Sequence, residues 1–223
     1  MKDYLQKIDG KILKWAYQIK YKHTVLVSVL IFMGDAPFWM LMVLVAALAG
    51  QFFKIESLSI LANLLIVGLM FSNIVFSFLK KKIKRKRPYA DEQMQELLNL
   101  KIINRDPKHG SKEFESFPSG HAHWTSLCVC IIVYQFGFIS LLLVGWMIPT
   151  MMFLRPHLGV HYPSDAVAGF IIGVINAMIT ISLSPIISEF TVSMKKFDWY
   201  NLGYWIFILV FLTLGFKSWL KRV

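Results

Sequence analysis

Charged residues are missing from long stretches of this 223-residue sequence. Residues 122–154 form a run of thirty-three positions without Asp, Glu, Lys or Arg. The chain is 56% hydrophobic with a mean hydropathy of +0.55, which is more apolar than is usual for a soluble domain of this size. These uncharged stretches exclude an ordinary water-soluble domain and predict an all-α membrane protein.

Cysteine is also scarce, since Cys128 and Cys130 are the only two. They lie two positions apart in an apolar segment predicted to be helical, so their side chains diverge. A disulfide between them is therefore not expected, and two thiols alone make a poor metal site. The N-terminus lacks the short basic tip and apolar core of a cleavable signal peptide.

Acidic residues are few relative to basic ones, with 13 Asp and Glu against 24 Lys and Arg and a net charge of +11. Such a charge on a soluble protein would suggest nucleic acid as the partner. In a chain with membrane-length apolar segments, the expected partners are instead membrane lipids and a phosphorylated lipid substrate, and no nucleic acid. The sequence leaves the oligomeric state open.

The apolar segments predict a polytopic helix bundle with about six transmembrane helices. We divide the long uncharged run near Gly137, because a single helix of that length would measure about 50 Å against a hydrocarbon core of about 30 Å. A charged link is expected before the last helix. The predicted spans cover residues 36–53, 57–79, 120–136, 138–154, 162–184 and 199–217.

The first 35 residues are predicted to form a separate N-terminal segment. Residues 1–23 carry six lysines and apolar residues at helical spacing, which favours an amphipathic helix lying in the membrane interface. The alternative is a solvated helix packed on the bundle. Residues 24–33 are apolar but too short to span, so we expect a re-entrant or interfacial piece. The transmembrane domain then covers 36–217, including a polar segment at 80–118, and 218–223 form a basic tail.

Four predicted helix ends should meet on one side of the membrane. Crossing out along one helix and back along the next returns the chain to the side it left. His121 and His161 at helix starts, Arg155 at a helix end and the basic run that begins at Lys80 therefore share one face. This places the polar side chains of three distant segments at one membrane surface.

These helix ends carry residues suited to hold an anion. Arg87 and Arg155 present planar forks of donors that match phosphate oxygens, and Lys80 adds a point charge. Ser119 and Gly120 open a helix whose first backbone N–H groups lack helical partners and point at any anion bound there. Ser119 is expected to cap that helix or to donate to the anion.

Two histidines and an aspartate add the means to attack phosphorus. His161 and Asp165 are four residues apart at the start of a predicted helix and therefore lie on one face. A carboxylate bonded to one ring nitrogen fixes the tautomer and leaves the other nitrogen free as a nucleophile. His121 supplies a second imidazole, which can protonate a leaving oxygen.

These segments together resemble the three motifs of the type 2 phosphatidic acid phosphatase (PAP2) superfamily of membrane lipid phosphatases, which read K-x6-R-P, P-S-G-H and S-R-x5-H-x3-D. One departure is Leu154, which stands where the family usually has serine. The resemblance covers about residues 80–170. The matching positions are Lys80 and Arg87-Pro88 in the first motif, residues 118–121 in the second, and Arg155, His161 and Asp165 in the third.

The resemblance implies hydrolysis of a lipid phosphate without a metal ion or another cofactor. His161 would attack phosphorus to form a phosphohistidine, Asp165 would orient it, and His121 would protonate the leaving group. The phosphate oxygens would be held by Lys80, Arg87, Ser119, Gly120 and Arg155.

Other polar residues receive weaker predictions. His157 lies between two motif residues and is a possible contact of the lipid headgroup, whereas His123 should point elsewhere. Asp35 is expected to pair with a basic residue, and the segment 89–117 to shape headgroup selection. The remaining basic residues of the run are expected to face headgroups or solvent, namely Lys81, Lys82, Lys84, Arg85 and Lys86.

The substrate and the membrane face stay open. Phosphatidylglycerophosphate, phosphatidic acid, undecaprenyl pyrophosphate and a lipid A phosphate all fit. A lipid phosphotransferase would carry the same motifs, and an anion transporter or lipid-binding protein would explain the cations alone. The expected location is a bacterial cytoplasmic (inner) membrane. Of the 24 Lys and Arg residues, 21 fall on the active-site face, which favours a cytoplasmic site if residues 24–33 do not span.

Overall fold

The structure is a computed structural model, and it describes residues 2–106, 112–194 and 198–220. Within these ranges its secondary structure is helical except for an isolated bridge between Arg85 and Glu115, which confirms the all-α fold class. A 3₁₀ turn covers Pro88–Ala90. The α-helices of the described ranges are α1 (Lys2–Gln18), α2 (Val25–Met33), α3 (Ala36–Phe52), α4 (Glu56–Lys82), α5 (Glu92–Leu98), α6 (Gly120–Phe136), α7 (Phe138–Val144), α8 (Met147–His157), α9 (Pro163–Ser182), α10 (Ser184–Met194) and α11 (Asp198–Leu220).

The six predicted spans correspond to α3, α4, α6, α7 with α8, α9 and α11. In the described part of the chain, four helical segments are long and apolar enough to cross a membrane: α4, residues 138–157, α9 and residues 202–220. Helices α2 and α3 make a fifth if the pair counts as one span with a 69° bend. Helix α6 has 17 residues and is about 26 Å long, shorter than a hydrocarbon core. Six crossings therefore remain a prediction.

The short apolar segment before α3 stays open between a re-entrant piece and part of a bent span, and the predicted charged link differs from its predicted form. Residues 25–33 form a helix that bends sharply into α3, because Gly34 ends α2 and the Asp35 carboxylate caps α3 by accepting from the Ala36 amide at 2.8 Å. The charged link predicted after Ser184 is instead largely helix α10. Its apolar residues allow a helix to form before the lysines. Those lysines, Lys195 and Lys196, and residues 221–223 of the basic tail lie outside the described residues.

Glycines bring α9 close against α6. A Cβ atom at Gly169 would lie 2.5 Å from the Ser119 carbonyl oxygen, and one at Gly173 would lie 2.0 Å from the Ser126 hydroxyl. Small residues one turn apart let helix backbones approach closely in a membrane, where packing drives association. The approach sets the start of α9 beside the start of α6, and hence His161 beside His121.

A buried polar cluster ties α4, α6 and α9 together. The Asn176 side-chain amide donates to the Ser72 hydroxyl at 2.7 Å, and that oxygen lies 2.9 Å from Nε2 of His123. Hydrogen bonds between spanning helices satisfy polar groups that lipid cannot. His123 is thus held in the bundle interior, which agrees with the expectation that it points away from the site.

Helix α1 packs on the bundle and also exposes an apolar face. Leu13 and Tyr17 are buried in a small cluster with residues of α5 and the segment before α9. Ile12, Trp15 and Ile19 face outward instead. The helix thus packs on the bundle on one side, and placement of its exposed apolar side in the membrane interface stays a prediction.

Candidate active site

One cavity of about 680 Å³ brings together the polar ends of the helices. Lys80 comes from the end of α4, and Arg155 from the last turn of α8. Arg87 follows in the loop after α4, His121 lies in the first turn of α6, and His161 precedes α9. All five line the same cavity, as the motif spacing and the helix directions predicted.

The His161 ring is held in one orientation. Its Nδ1 atom lies 2.6 Å from the Ser116 carbonyl oxygen, and because a carbonyl only accepts, Nδ1 carries the proton. In the neutral ring, Nε2 then keeps a lone pair, and it lies 3.5 Å from Nη1 of Arg87. Burial, followed by the nearby charges of Arg87 and Lys80, lowers the pKa of His161 well below 6.5. The ring is therefore held in one orientation, and the lowered pKa favours its neutral form.

Asp165 does not bond directly to His161, which corrects the predicted pair. Its Oδ2 atom is 3.9 Å from Nδ1 of His161, because the Ser116 carbonyl already occupies that position. The carboxylate instead accepts from the Ser116 hydroxyl at 2.5 Å and the Tyr162 amide at 2.9 Å. Its other oxygen lies 2.6 Å from Nη1 of Arg85. The hydrogen-bonded connection from Asp165 to His161 therefore passes through Ser116.

The cations are anchored by part of their donors. Arg87 donates from Nε to the Lys112 carbonyl and from Nη1 to the Val160 carbonyl, both at 3.0 Å. Arg155 donates to the Asp106 carboxylate at 2.8 Å in a buried pair. A guanidinium has five N–H groups, so donors remain for an anion. Burial, with the Arg155 charge, lowers the pKa of Arg87 to about 10, which leaves it cationic at neutral pH.

Lys80 completes the ring of cations from α4. Its ammonium donates to the Glu115 carbonyl and lies 5.4 Å from the centre of the Phe76 ring. The first contact holds the amine against the polar segment 112–119, and the second holds it against a ring of its own helix.

The start of α6 is only partly as predicted. Gly120 and His121 line the cavity, and Gly34 lies so close that a Cβ there would meet Cδ2 of His121 at 2.8 Å. Ser119 is fully buried and makes no side-chain cap, and its amide donates to the Asp165 carbonyl at 3.0 Å. Within the described residues its hydroxyl has no hydrogen-bond partner. A contact of Ser119 with phosphate stays a prediction.

His157 lies away from the cavity. Its Nδ1 atom is 2.8 Å from the Ala16 carbonyl of α1, and its ring stacks on Phe153 with centres 5.5 Å apart. Among the described residues it is not part of the cavity lining. Leu154, the departure from the third motif, is buried in an apolar cluster with Ile31 and Met151. The geometry therefore gives the possible headgroup role of His157 no support.

Several residues around the site could not be found from the motifs. Ser116 and Asp106 lie in the polar segment, and they orient His161 and Arg155. Arg85, predicted to face headgroups or solvent, is instead paired with Asp165. Asp35 accepts from the Trp219 indole of α11 at 2.6 Å, and a pairing with a basic residue stays a prediction. Each link joins residues far apart in sequence, and no local pattern signals it.

The rest of the cavity is apolar and lies between α3, α4 and α11. Polar residues line its end at the membrane face, and the deeper turns of these helices supply hydrocarbon side chains. A cavity that is cationic at one end and apolar along its length matches an amphipathic anion. The apolar lining comprises Met40, Leu69, Met70, Phe207, Val210, Phe211 and Leu214.

Comparison with known proteins identifies relatives that act on a lipid. Two lipid A 1-phosphatases, from Rhizobium etli and Rhizobium johnstonii, are 31% and 30% identical to this chain over 114 and 116 residues. The matches cover 49% and 50% of this chain. They cover only 44% and 43% of the relatives, so the chain spans less than half of the length of either.

Two solved structures share the fold. LpxE from Aquifex aeolicus matches with a TM-score of 0.58 and 17% identity, over 77% of this chain and 93% of that one. A transmembrane PAP2-type phosphatidylglycerolphosphate phosphatase from Bacillus subtilis matches with a TM-score of 0.59 and 22% identity, over 82% and 87%. Residues 61–189, more than half of the chain and all three motifs, match the PAP2 superfamily model. The chain therefore belongs to the PAP2 superfamily, as an integral membrane protein.

Proposed function

We propose that this protein is a membrane lipid phosphatase that hydrolyses a phosphate ester on a lipid headgroup through a phosphohistidine. The observation that carries the proposal is the single cavity lined by two imidazoles and three cations at its polar end and by hydrocarbon along its length. A phosphate at the polar end meets a neutral nucleophile, and the lipid chains attached to it meet the apolar walls.

The proposed reaction has two steps. Nε2 of His161 attacks phosphorus as the bond to the lipid oxygen breaks, and His121 gives that oxygen a proton, so the lipid leaves as an alcohol. Water then attacks the phosphohistidine, His121 takes the proton, and inorganic phosphate leaves. The three cations stabilise the charge on the equatorial oxygens, and they act most strongly in the transition state. Ser116 and Asp165 hold the nucleophile, and no metal ion takes part.

The relatives direct the choice of substrate. Because two curated relatives are lipid A 1-phosphatases, a lipid A phosphate is the first substrate to test. Phosphatidylglycerophosphate, phosphatidic acid and undecaprenyl pyrophosphate complete the panel. The site is proposed to lie on the cytoplasmic side of the inner membrane. Basic residues are enriched on that side of membrane proteins, and Lys54 is the basic residue that the described chain places at the opposite end of α3 and α4.

A lipid phosphate panel tests the function directly. Purified protein in detergent is expected to release phosphate from at least one lipid, with the same rate in EDTA as without it. Thin-layer analysis with an acceptor lipid added separates hydrolysis from phosphoryl transfer. Absence of both phosphate release and transfer on every lipid, with stoichiometric lipid binding retained, would instead support a binding protein.

The pH dependence of the reaction should report the low pKa of His161. Nε2 must be unprotonated to attack, and the lowered pKa keeps it unprotonated. Protonation of His161 should therefore reduce the wild-type kcat/KM only below pH 6.5. Arg87→Gln removes a positive charge that disfavours the imidazolium, which should move the acidic limb to higher pH.

Arg87→Lys is the matched control for that shift. Lysine keeps the positive charge but loses the planar fork, so the rate should fall while the acidic limb stays near its wild-type position. Because all three proteins are measured on one substrate, ionisation of the substrate cancels in the comparison. Identical limbs in wild type and Arg87→Gln would contradict the electrostatic origin of the lowered pKa.

A further inference from the structure

A continuous set of hydrogen bonds runs from the N-terminal helix to the candidate nucleophile. It begins at Asp9, which is buried although it lies on α1 among exposed lysines. One carboxylate oxygen of Asp9 lies 2.7 Å from Nη2 of Arg85. The other accepts from the Ser164 amide at 2.8 Å, and the Ser164 hydroxyl also donates to Asp9. Helix α1 is thereby attached to the loop after α4 and to the start of α9.

Arg85 continues this set of hydrogen bonds through the second terminal nitrogen of its guanidinium. Its Nη1 atom lies 2.6 Å from Oδ1 of Asp165 and 2.7 Å from the Ser164 hydroxyl. The guanidinium also lies over the Tyr162 ring, 4.0 Å from its centre. Two carboxylates on different helices and one aromatic face therefore hold the planar fork, an arrangement that a lysine cannot reproduce.

Ser116 connects this arrangement to His161. Its hydroxyl donates to Oδ2 of Asp165 at 2.5 Å, its amide donates to the Arg85 carbonyl at 3.0 Å, and its carbonyl oxygen lies 2.6 Å from Nδ1 of His161. The position of Arg85 thus determines both the carboxylate and the backbone segment that orient the ring. His161 itself touches neither Arg85 nor Asp9 within hydrogen-bond distance.

The charges make Arg85 necessary for this geometry. Asp165 is fully buried, and a buried carboxylate without a cation is strongly unfavourable. The cation that meets it is Arg85, whose side chain is 29% exposed and would be free to turn toward lipid headgroups without Asp9. Asp9 therefore keeps the guanidinium on Asp165.

We propose that Arg85 and Asp9 are positioning residues for His161, so that helix α1 is a working part of the active site although it lies outside residues 61–189. This inference rests on the proposed function, since it takes His161 as the nucleophile. Asp9 lies outside the three motifs, and Arg85 is one of the six unspecified positions of the first. The pair acts on the orientation of the ring and makes no contact with the phosphate.

Steady-state kinetics on the best lipid of the panel tests the inference. Arg85→Ala is expected to lower kcat about 100-fold and to leave KM within about twofold of wild type. A misplaced His161 ring slows the chemical step but does not weaken binding of the lipid. Asp9→Asn should lower kcat about 10-fold, and Arg85→Lys should recover only part of the loss. The matched control is Lys84→Ala, which removes an exposed neighbouring cation and should leave both constants unchanged.

A double variant distinguishes positioning from general destabilisation. If Asp9 acts through Arg85, Asp9→Asn combined with Arg85→Ala should be no slower than Arg85→Ala alone. Losses that multiply, a raised KM with unchanged kcat, or Arg85→Ala within twofold of wild type would each overturn the proposal. If Arg85→Ala fails to fold, Arg85→Lys, Asp9→Asn and their combination give the same comparison.

The failure of this inference differs visibly from failure of the proposed function. Phosphate release by wild type that is lost in His161→Ala leaves the function standing, whatever the Arg85 variants do. Unchanged kcat in the Arg85 and Asp9 variants under those conditions rejects the positioning role alone. A further outcome is that the variants lose thermal stability but keep the wild-type kcat at a temperature where they stay folded. That result would assign Arg85 and Asp9 a structural role and would also reject the positioning role.

Discussion

His161→Ala is expected to abolish phosphate release, with a loss of about 10⁴-fold or more, because it removes the proposed nucleophile. The ring is oriented by Ser116 and faces Arg87. The measurement is phosphate release under saturating lipid, followed for long enough to detect a residual rate. A ³²P label on the protein that is stable in base and lost in acid would reveal the phosphohistidine in wild type, and this label should be absent from the variant.

Binding should survive the same substitution. The cations that hold the phosphate remain in place, so titration with a short-chain phosphatidic acid should give a dissociation constant within about tenfold of wild type. The control is His23→Ala, which removes an exposed histidine whose contacts are with Tyr21 and Ser28. Undiminished turnover in His161→Ala would reject the phosphohistidine mechanism, and loss of turnover in His23→Ala would show that the assay reports folding.

His121→Ala is expected to lower the rate on a lipid phosphate by about 10²- to 10⁴-fold, the usual contribution of a general acid. A lipid alkoxide is a poor leaving group and needs a proton as it departs. An aryl phosphate such as p-nitrophenyl phosphate leaves as a stable anion and does not. The measurement is therefore the ratio of rates on the two substrates, for wild type and for the variant.

The leaving-group comparison separates acid catalysis from binding. If His121 is the acid, the variant should lose far less activity on the aryl ester than on the lipid, and His121→Gln should behave like alanine because an amide cannot protonate an alkoxide. Equal losses on both substrates would assign His121 to phosphate binding or to the hydrolysis of the phosphohistidine. His123→Gln is unsuitable as a control because that ring links α4 and α6.

Local patterns were sufficient to predict where the helix ends that carry the motif residues lie. The uncharged run divided at Gly137 because its length exceeds a bilayer, and Gly137 adopts a φ of +79° between α6 and α7. Counting crossings then placed Lys80, Arg155 and the two histidines on one face, and they line one cavity. Helix length and hydrocarbon thickness are properties of a segment by itself, so sequence carries them.

Side-chain partners across the bundle were not predictable in the same way. The spacing of His161 and Asp165 correctly placed them on one face, yet the Ser116 carbonyl lies between them. Ser116 is 45 residues from His161, and its approach depends on how the polar segment folds over the helix ends. Arg85 resembled its lysine neighbours in sequence, and only its contact with Asp9, 76 residues away, distinguishes it.

The sequence by itself determined that this is a helical membrane protein whose motif residues lie at helix ends, because apolar length and motif spacing constrain each segment independently. The tertiary structure decided how the His161 ring is held and that hydrogen bonds connect it to the N-terminal helix. Those contacts depend on the close approach of α6 and α9 at Gly169 and on the folding of residues 112–119 over them. They arise only when all these segments occupy their places at once.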